Sequence, residues 1–197
     1  MARSVVHQAE DILDATRDLL LSRGTRAASI AAIAKASGAP VGSLYHRFGS
    51  RDALLAEVWL RALSRFHSHF FAAAEQDDPA LAAAAMAAAV ITFAREHPSD
   101  SRVLMTVRSR DLFDHQPAQA LRARREAMNA QLDAVIRELA SSRYGRADRR
   151  AIERVRFAVV DLPAAALRRH TDTATALPEW LESEVSSAAT GILTSPA

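Results

Sequence analysis

"SGAPVGSLYHRF", residues 37–48, interrupts a chain otherwise rich in helix formers. "SIAAIAKA" (29–36) precedes it and "SRDALLAEVWLRAL" (50–63) follows it. Gly38 suits a left-handed helix cap, and "PVGSLYHRF" opens another short helix. Residues 29–48 therefore have the layout of two short helices joined by a turn of about three residues, a helix-turn-helix. Ser29 is placed to cap the first helix, whose Ile30, Ile33 and Ala34 share an inward face. Leu44 and Phe48, four residues apart, turn the second helix onto the core. Val41, Ser43, His46 and Arg47 then face outward, with Tyr45 at the flank.

The same periodicity extends along the chain. Ile12, Leu13, Thr16, Leu19 and Leu20 form the stripe of an amphipathic helix that Gly24 closes. A longer helix runs from Asp52 to about Glu75, with Leu55, Trp59, Phe66 and Phe70 roughly on one face. Pro79, Pro98 and Pro178 mark later helix starts. Pro117 separates "SRDLFDHQ" from the helix that follows it, and Pro163 should kink or split a helix over about 147–170. No strand-like alternation is present. The expectation is an all-α fold of about nine helices: a three-helix N-terminal domain over 1–51 and a helical C-terminal domain over 52–197.

Bulk properties narrow the function classes. The chain has 197 residues, 49% hydrophobic and 24% charged, as ordinary soluble domains do. It has no cysteine, so disulfides and thiol chemistry are excluded. No apolar run long enough for a membrane span and no signal-peptide core stand out, so a cytoplasmic protein with no membrane partner is expected. Net charge is +2, and Lys35 is the only lysine. Residues 1–51 hold seven basic and four acidic side chains, leaving +3 there and −1 in the remainder. The positive excess lies where it can face nucleic acid.

The outward residues of the second short helix suit that partner. Phosphate oxygens need hydroxyl, guanidinium, imidazole or backbone N–H donors. Tyr45, His46, Arg47 and Arg51 supply side-chain donors, and Ser29 adds a hydroxyl beside free helix N–H groups. Gly42 allows close approach. Val41 can touch only a thymine methyl. Taken alone, the Tyr-His-Arg triplet reads more simply as a half-buried tyrosine beside a solvated face; its helix-turn-helix setting reverses that balance in favour of DNA.

Residues 19–59, "LLLSRGTRAASIAAIAKASGAPVGSLYHRFGSRDALLAEVW", resemble the DNA-binding domain of tetracycline-repressor-like (TetR family) regulators. The resemblance rests on the Gly24 turn, "SIAAIAKASG", the "GSLYHRF" helix and "SRDALL", in the expected order and spacing. It implies a homodimer through the last two helices and a ligand pocket in the C-terminal domain. It further implies phosphate contacts from Tyr45, Arg47 and Arg51, with Val41, Gly42, Ser43 and His46 lining the groove. Pro40 replaces a serine-type cap, and Val41 and Ala31 replace positions that are often polar. The operator is then read partly through DNA shape.

In the C-terminal region, Phe66, Phe70, Met86, Phe93, Met105, Phe113, Met128 and Phe157 are core residues or walls of a pocket for a hydrophobic effector. Val155, Val159, Leu162, Leu167, Trp180, Leu181 and Val185 are assigned to an intersubunit four-helix bundle, burial within one chain being the alternative. His67 and His69, two apart on a helix, point about 200° apart and cannot share one ion. Asp111, Asp114 and His115 fall at i, i+3 and i+4 but read more simply as a polar helix end. No metal and no cofactor are expected, nor any nucleophile–base–acid set, so the protein is not expected to be an enzyme. The reading is a ligand-responsive regulator, a repressor binding a (pseudo)palindromic double-stranded operator as a dimer. Its rivals are an activator of the same fold and an all-helical small-molecule-binding or enzymatic protein without DNA function.

Overall fold

The computed structural model describes residues 2–113, 119–171 and 176–195. Among them every regular element is helical: α1 (Ala2–Ala27), α2 (Ile30–Ser37), α3 (Val41–Phe48), α4 (Arg51–Ala73), α5 (Pro79–Glu96), α6 (Pro98–Thr106), α7 (Ser109–Phe113), α8 (Gln119–Tyr144), α9 (Arg149–Arg156), α10 (Leu162–Thr171) and α11 (Leu181–Thr194). A π-helical turn, Phe157–Asp161, joins α9 to α10 without a break. Counting those three segments as one helix gives ten, close to the expected nine. Asp114 and Pro117, like His115, lie outside the described residues.

The chain forms two compact units, residues 1–63 with 99–126 and residues 64–98 with 127–197. The sequence boundary at 51/52 marks where the recognition segment ends. The compact units instead divide within α4, after Leu63, because the first turns of α4 are core to the first unit. Leu54, Leu55, Val58 and Leu60 are buried there, as are Ile12, Leu13, Leu20, Ile33 and Leu44 of α1 to α3.

An ion network crosses the same unit. Arg61 of α4 is 9% exposed. Its guanidinium donates to Glu10 Oε2 at 2.7 Å and to Asp14 Oδ1 at 2.7 Å, both on α1. Asp14 also pairs with Arg17 at 3.0 Å, and Arg17 reaches the buried Asp100 of α6 at 3.5 Å. Gly24, at φ 75° and ψ 171°, breaks α1 in a conformation that side chains disfavour.

In the second unit α5 is the central helix. Its length and composition would allow a membrane crossing. However, Met86, Ala87, Val90, Ile91 and Phe93 are buried against the rest of the unit, as in a core helix. Asp78 caps it, accepting from Ala80 N at 2.7 Å. Arg95, near its end, donates to Pro178 O at 2.8 Å and pairs with Glu182 at the start of α11. The last carbonyls of α11 have arginine partners: Arg154 donates to Ile192 O at 3.0 Å and Arg143 to Leu193 O at 2.9 Å. His67 is buried with its Nδ1 unpartnered, and burial lowers its pKa to about 4.

Pro163 does not split its helix, which runs on through it. A proline ring clashes with the carbonyl four residues back, here that of Val159. The preceding turn widens to π geometry, with Leu162 N–H donating to Phe157 O, and the helix continues.

Removing the Arg61 guanidinium leaves the carboxylates of Glu10 and Asp14 side by side on one face of α1, with Asp14 still paired to Arg17. Arg61→Ala should cost about 2 kcal/mol, read as a lower denaturation midpoint at unchanged m-value. Arg61→Lys should recover only part of this, because an ammonium lacks the fork that reaches both acids.

Candidate nucleic-acid interface

The interface is built from the turn outward. Ser29 Oγ accepts from Ala32 N at 3.2 Å and starts α2, and Gly38 ends it at φ 71° and ψ 2°. Pro40 sets an extended entry to α3, at φ −59° and ψ 140°, and no side chain caps the helix. Ser43 N–H instead donates to Pro40 O at 2.9 Å. Leu44 is 1% exposed and anchors α3 in the core of the unit, where Ile33 of α2 is also buried, while Phe48 is half-buried. This anchoring fixes which residues point to solvent.

Val41, Gly42, Ser43, Tyr45 and His46 are all exposed, Tyr45 at 52%. Arg47 is half-buried. With Ile12, Ala39, Pro40, Gly42, Ser43 and His46 it lines a cleft of about 230 Å³ beside the start of α3. A Cβ at Gly42 would meet nothing within 4 Å. The helix therefore presents bare backbone at this point, open to a duplex.

Ser29 is exposed and already accepts the helix N–H, keeping its own hydroxyl proton for a further partner. Arg51 is placed differently. Its Nε donates to Ala28 O at 2.8 Å, its Nη2 to Thr25 O, and its Nη1 pairs with Asp52 at 2.7 Å. In this state it braces the α1–α2 junction against α4.

The C-terminal assignments divide between the two units. Phe66, Phe70 and Phe93 cluster in the second, with ring centroids 5.3 Å apart for Phe66–Phe70 and 5.4 Å for Phe66–Phe93. Met105 and Phe113 belong to the first unit, where Phe113 meets Trp59 edge-on at 6.0 Å and carries Arg125 over its ring at 4.6 Å. Met128 is half-buried and Phe157 is 49% exposed. These eight residues do not line one cavity. A cavity of about 420 Å³ in the second unit contains only Met86 of the group. Its other walls include Phe71, Pro79, Ala82, Val135 and Leu139, with Glu75, Asp77 and Glu138 exposed at its edge. Sequence reading missed these residues, since alternating apolar and acidic positions at helix ends look like an ordinary solvated face.

Of the seven residues assigned to the dimer bundle, Val155, Val159, Leu167, Leu181 and Val185 are buried within the single chain. Leu162 is half-buried and Trp180 is 57% exposed. Asp111 is exposed.

With this geometry in place, residues 12–58 match the family model of bacterial regulatory proteins, tetR family. No curated protein matches the chain. Solved structures match its fold over nearly the whole length. A TetR family regulator from Marinobacter aquaeolei aligns at TM-score 0.72 and 15% identity, covering 98% of both chains. The fatty acid degradation regulator FadR of Bacillus halodurans gives 0.70 and 15%, covering 95% of this chain and 99% of its own. FadR of Bacillus subtilis in complex with stearoyl-CoA gives 0.69 and 11%, covering 94% and 97%. Residues 12–58 are thus similar to the helix-turn-helix domain of the tetR family of bacterial regulatory proteins, with α3 as its second short helix, and the chain as a whole shares the fold of these solved regulators.

Leu44→Ala should destabilise the protein by about 3 kcal/mol through the cavity it leaves. It should also weaken DNA binding at temperatures where the fold is intact, because α3 loses the contact that sets its exposed face.

Proposed function

We propose that the protein is a ligand-responsive repressor that binds a (pseudo)palindromic operator as a homodimer, residues 1–51 meeting DNA and residues 52–197 serving dimerisation and effector binding. The observation that carries the reading is the exposed row Val41, Gly42, Ser43, Tyr45 and His46 on a helix held by Leu44. Tyr45 and Arg47 contact phosphates, as does the hydroxyl of Ser29. The uncapped start of α3 offers further N–H donors. Arg51 reaches a phosphate only by giving up its backbone partners, so its first role is to hold the domain. Val41 and Gly42 place no hydrogen-bonding side chain against the bases. Specificity at that end comes from a thymine methyl and from groove shape.

Dimerisation is supported by the outer faces of the last helices. Phe157, Leu162, Ala165, Trp180 and Ala188 line an open groove in the second unit, with Asp161, Glu184 and Arg168 among its polar residues. A second copy laid on it would bury two exposed aromatic rings in an isologous four-helix bundle. The valines and leucines beneath serve the subunit core and support that face. Such a dimer places its recognition helices about 34–36 Å apart, one turn of DNA.

The effector we propose is small and largely apolar, bound in the cavity walled by Phe71, Met86, Val135 and Leu139. The carboxylates of Glu75, Asp77 and Glu138 disfavour an anionic end and favour a neutral or cationic one. That separates this site from one built for an acyl-CoA. A ligand that binds one conformation more tightly lowers operator affinity by its differential affinity for the two states.

In titrations of the promoter beside its own gene, Tyr45→Phe and Arg47→Ala should each weaken binding about tenfold. Arg47→Ala should also reduce the salt slope by about one. An unchanged affinity for both variants would refute the DNA-facing assignment. Phe157→Glu combined with Trp180→Glu should give a monomer by sedimentation, with helicity retained and operator binding lost.

A further inference from the structure

We infer that His69, Glu96 and His97 form a binding site for a late first-row divalent cation, best matched by Zn²⁺. The three residues come from the second half of α4 and the end of α5, all within the second unit. One donor atom from each lies within 4.8 Å of the other two. His69 Nδ1 is 3.6 Å from Glu96 Oε2, and the two imidazole centroids are 5.2 Å apart.

The convergence has a local cause. Adjacent residues on a regular helix point about 100° apart, so Glu96 and His97 should diverge. Pro98 disfavours helical geometry in the residue before it, and His97 leaves the helix at φ −127° and ψ 60°. That change of direction brings its ring beside Glu96 and across to His69. Phe93, 1% exposed, meets both rings, at 5.5 Å from His69 and 5.1 Å from His97, and restricts their orientations. His67, two residues before His69, instead packs on Phe71 at 4.7 Å and takes no part.

Two imidazoles and a carboxylate are borderline ligands suited to Zn²⁺, Co²⁺ or Ni²⁺ rather than to Mg²⁺ or Ca²⁺. Metal–ligand bonds of about 2.0–2.1 Å place tetrahedral donors roughly 3.4 Å apart. The cluster is therefore slightly open and closes by side-chain rotation at a half-exposed position. With three protein ligands, the fourth position is left to water or to a small anion.

The test uses the tag-free, full-length chain and the metal alone. Co²⁺ is titrated and followed by its visible absorption, and Zn²⁺ affinity is then measured by competition with a chromophoric chelator. One equivalent per chain is expected, with a tetrahedral cobalt spectrum. His69→Ala and His97→Ala should each bind at least tenfold more weakly, Glu96→Gln should weaken binding less, and the exposed His46→Ala should match the parent. Circular dichroism confirms that each variant is folded. Binding below one equivalent, or an affinity that His69→Ala and His97→Ala leave unchanged, would overturn the assignment. So would an equal loss in His46→Ala.

Discussion

The first unit depends on one buried cation. Arg61 occupies a position where an apolar residue would pack, and it is tolerated because Glu10 and Asp14 on α1 neutralise it. Such an arrangement contributes little net stability compared with a hydrophobic alternative, but it is demanding about geometry. The guanidinium fork reaches two carboxylates spaced one helical turn apart, so α1 can meet α4 in only one rotation and one register. Since α1 packs on α2 and α2 on α3, that constraint is passed on to α3. Arg17 extends the ion network to Asp100 on α6. These ion pairs add directional contacts to the buried apolar core of the unit.

Helix α3 is shaped by subtraction as much as by contacts. It has no capping side chain at Pro40, no side chain at Gly42 and no hydrogen-bonding side chain at Val41. What remains at its leading end is backbone and a small apolar surface, followed by Tyr45, His46 and Arg47. Arg51, although basic and close in sequence, is committed to the carbonyls of Thr25 and Ala28. The basic residues of this segment therefore divide into those at the surface of α3, such as His46, and one, Arg51, that holds the motif in shape.

How much the sequence revealed depended on the range of the interactions. The helix-turn-helix was legible because its signals are local: Ser29 as cap, Gly38 as terminator, and Leu44 with Phe48 at helical spacing. The cavity beside Phe71 and Met86 was not legible, because a phenylalanine in a core and one in a cavity wall have the same sequence pattern. Phe113 and Phe66 were grouped by type, whereas the fold assigns them to different units. The apolar residues of α9 to α11 were assigned together to an interface, yet Val155 and Val185 are buried within the chain and Phe157 and Trp180 are exposed. Amphipathic spacing does not distinguish a face buried by its own chain from one buried by another. His69 and His97 are 28 positions apart in the chain, and only the tertiary fold brings them together.

The π turn at Phe157–Asp161 acts as a phase shifter. One additional residue in a helical turn rotates everything after it by about 100° relative to an uninterrupted α-helix. Before the turn, Val155 faces the subunit interior; after it, Leu167 does so again only because of that added rotation. The widened turn also lets Phe157 project outward while its immediate neighbours Ala158 and Val159 remain inside. A single continuous helix can thus serve two surfaces with different periodicities, and the proline that follows keeps the widened turn from reverting to α geometry. An insertion or deletion of one residue in this stretch would turn the helix that follows by about 100° and carry Leu167 off the inner face, so the length of the stretch is constrained as well as its composition.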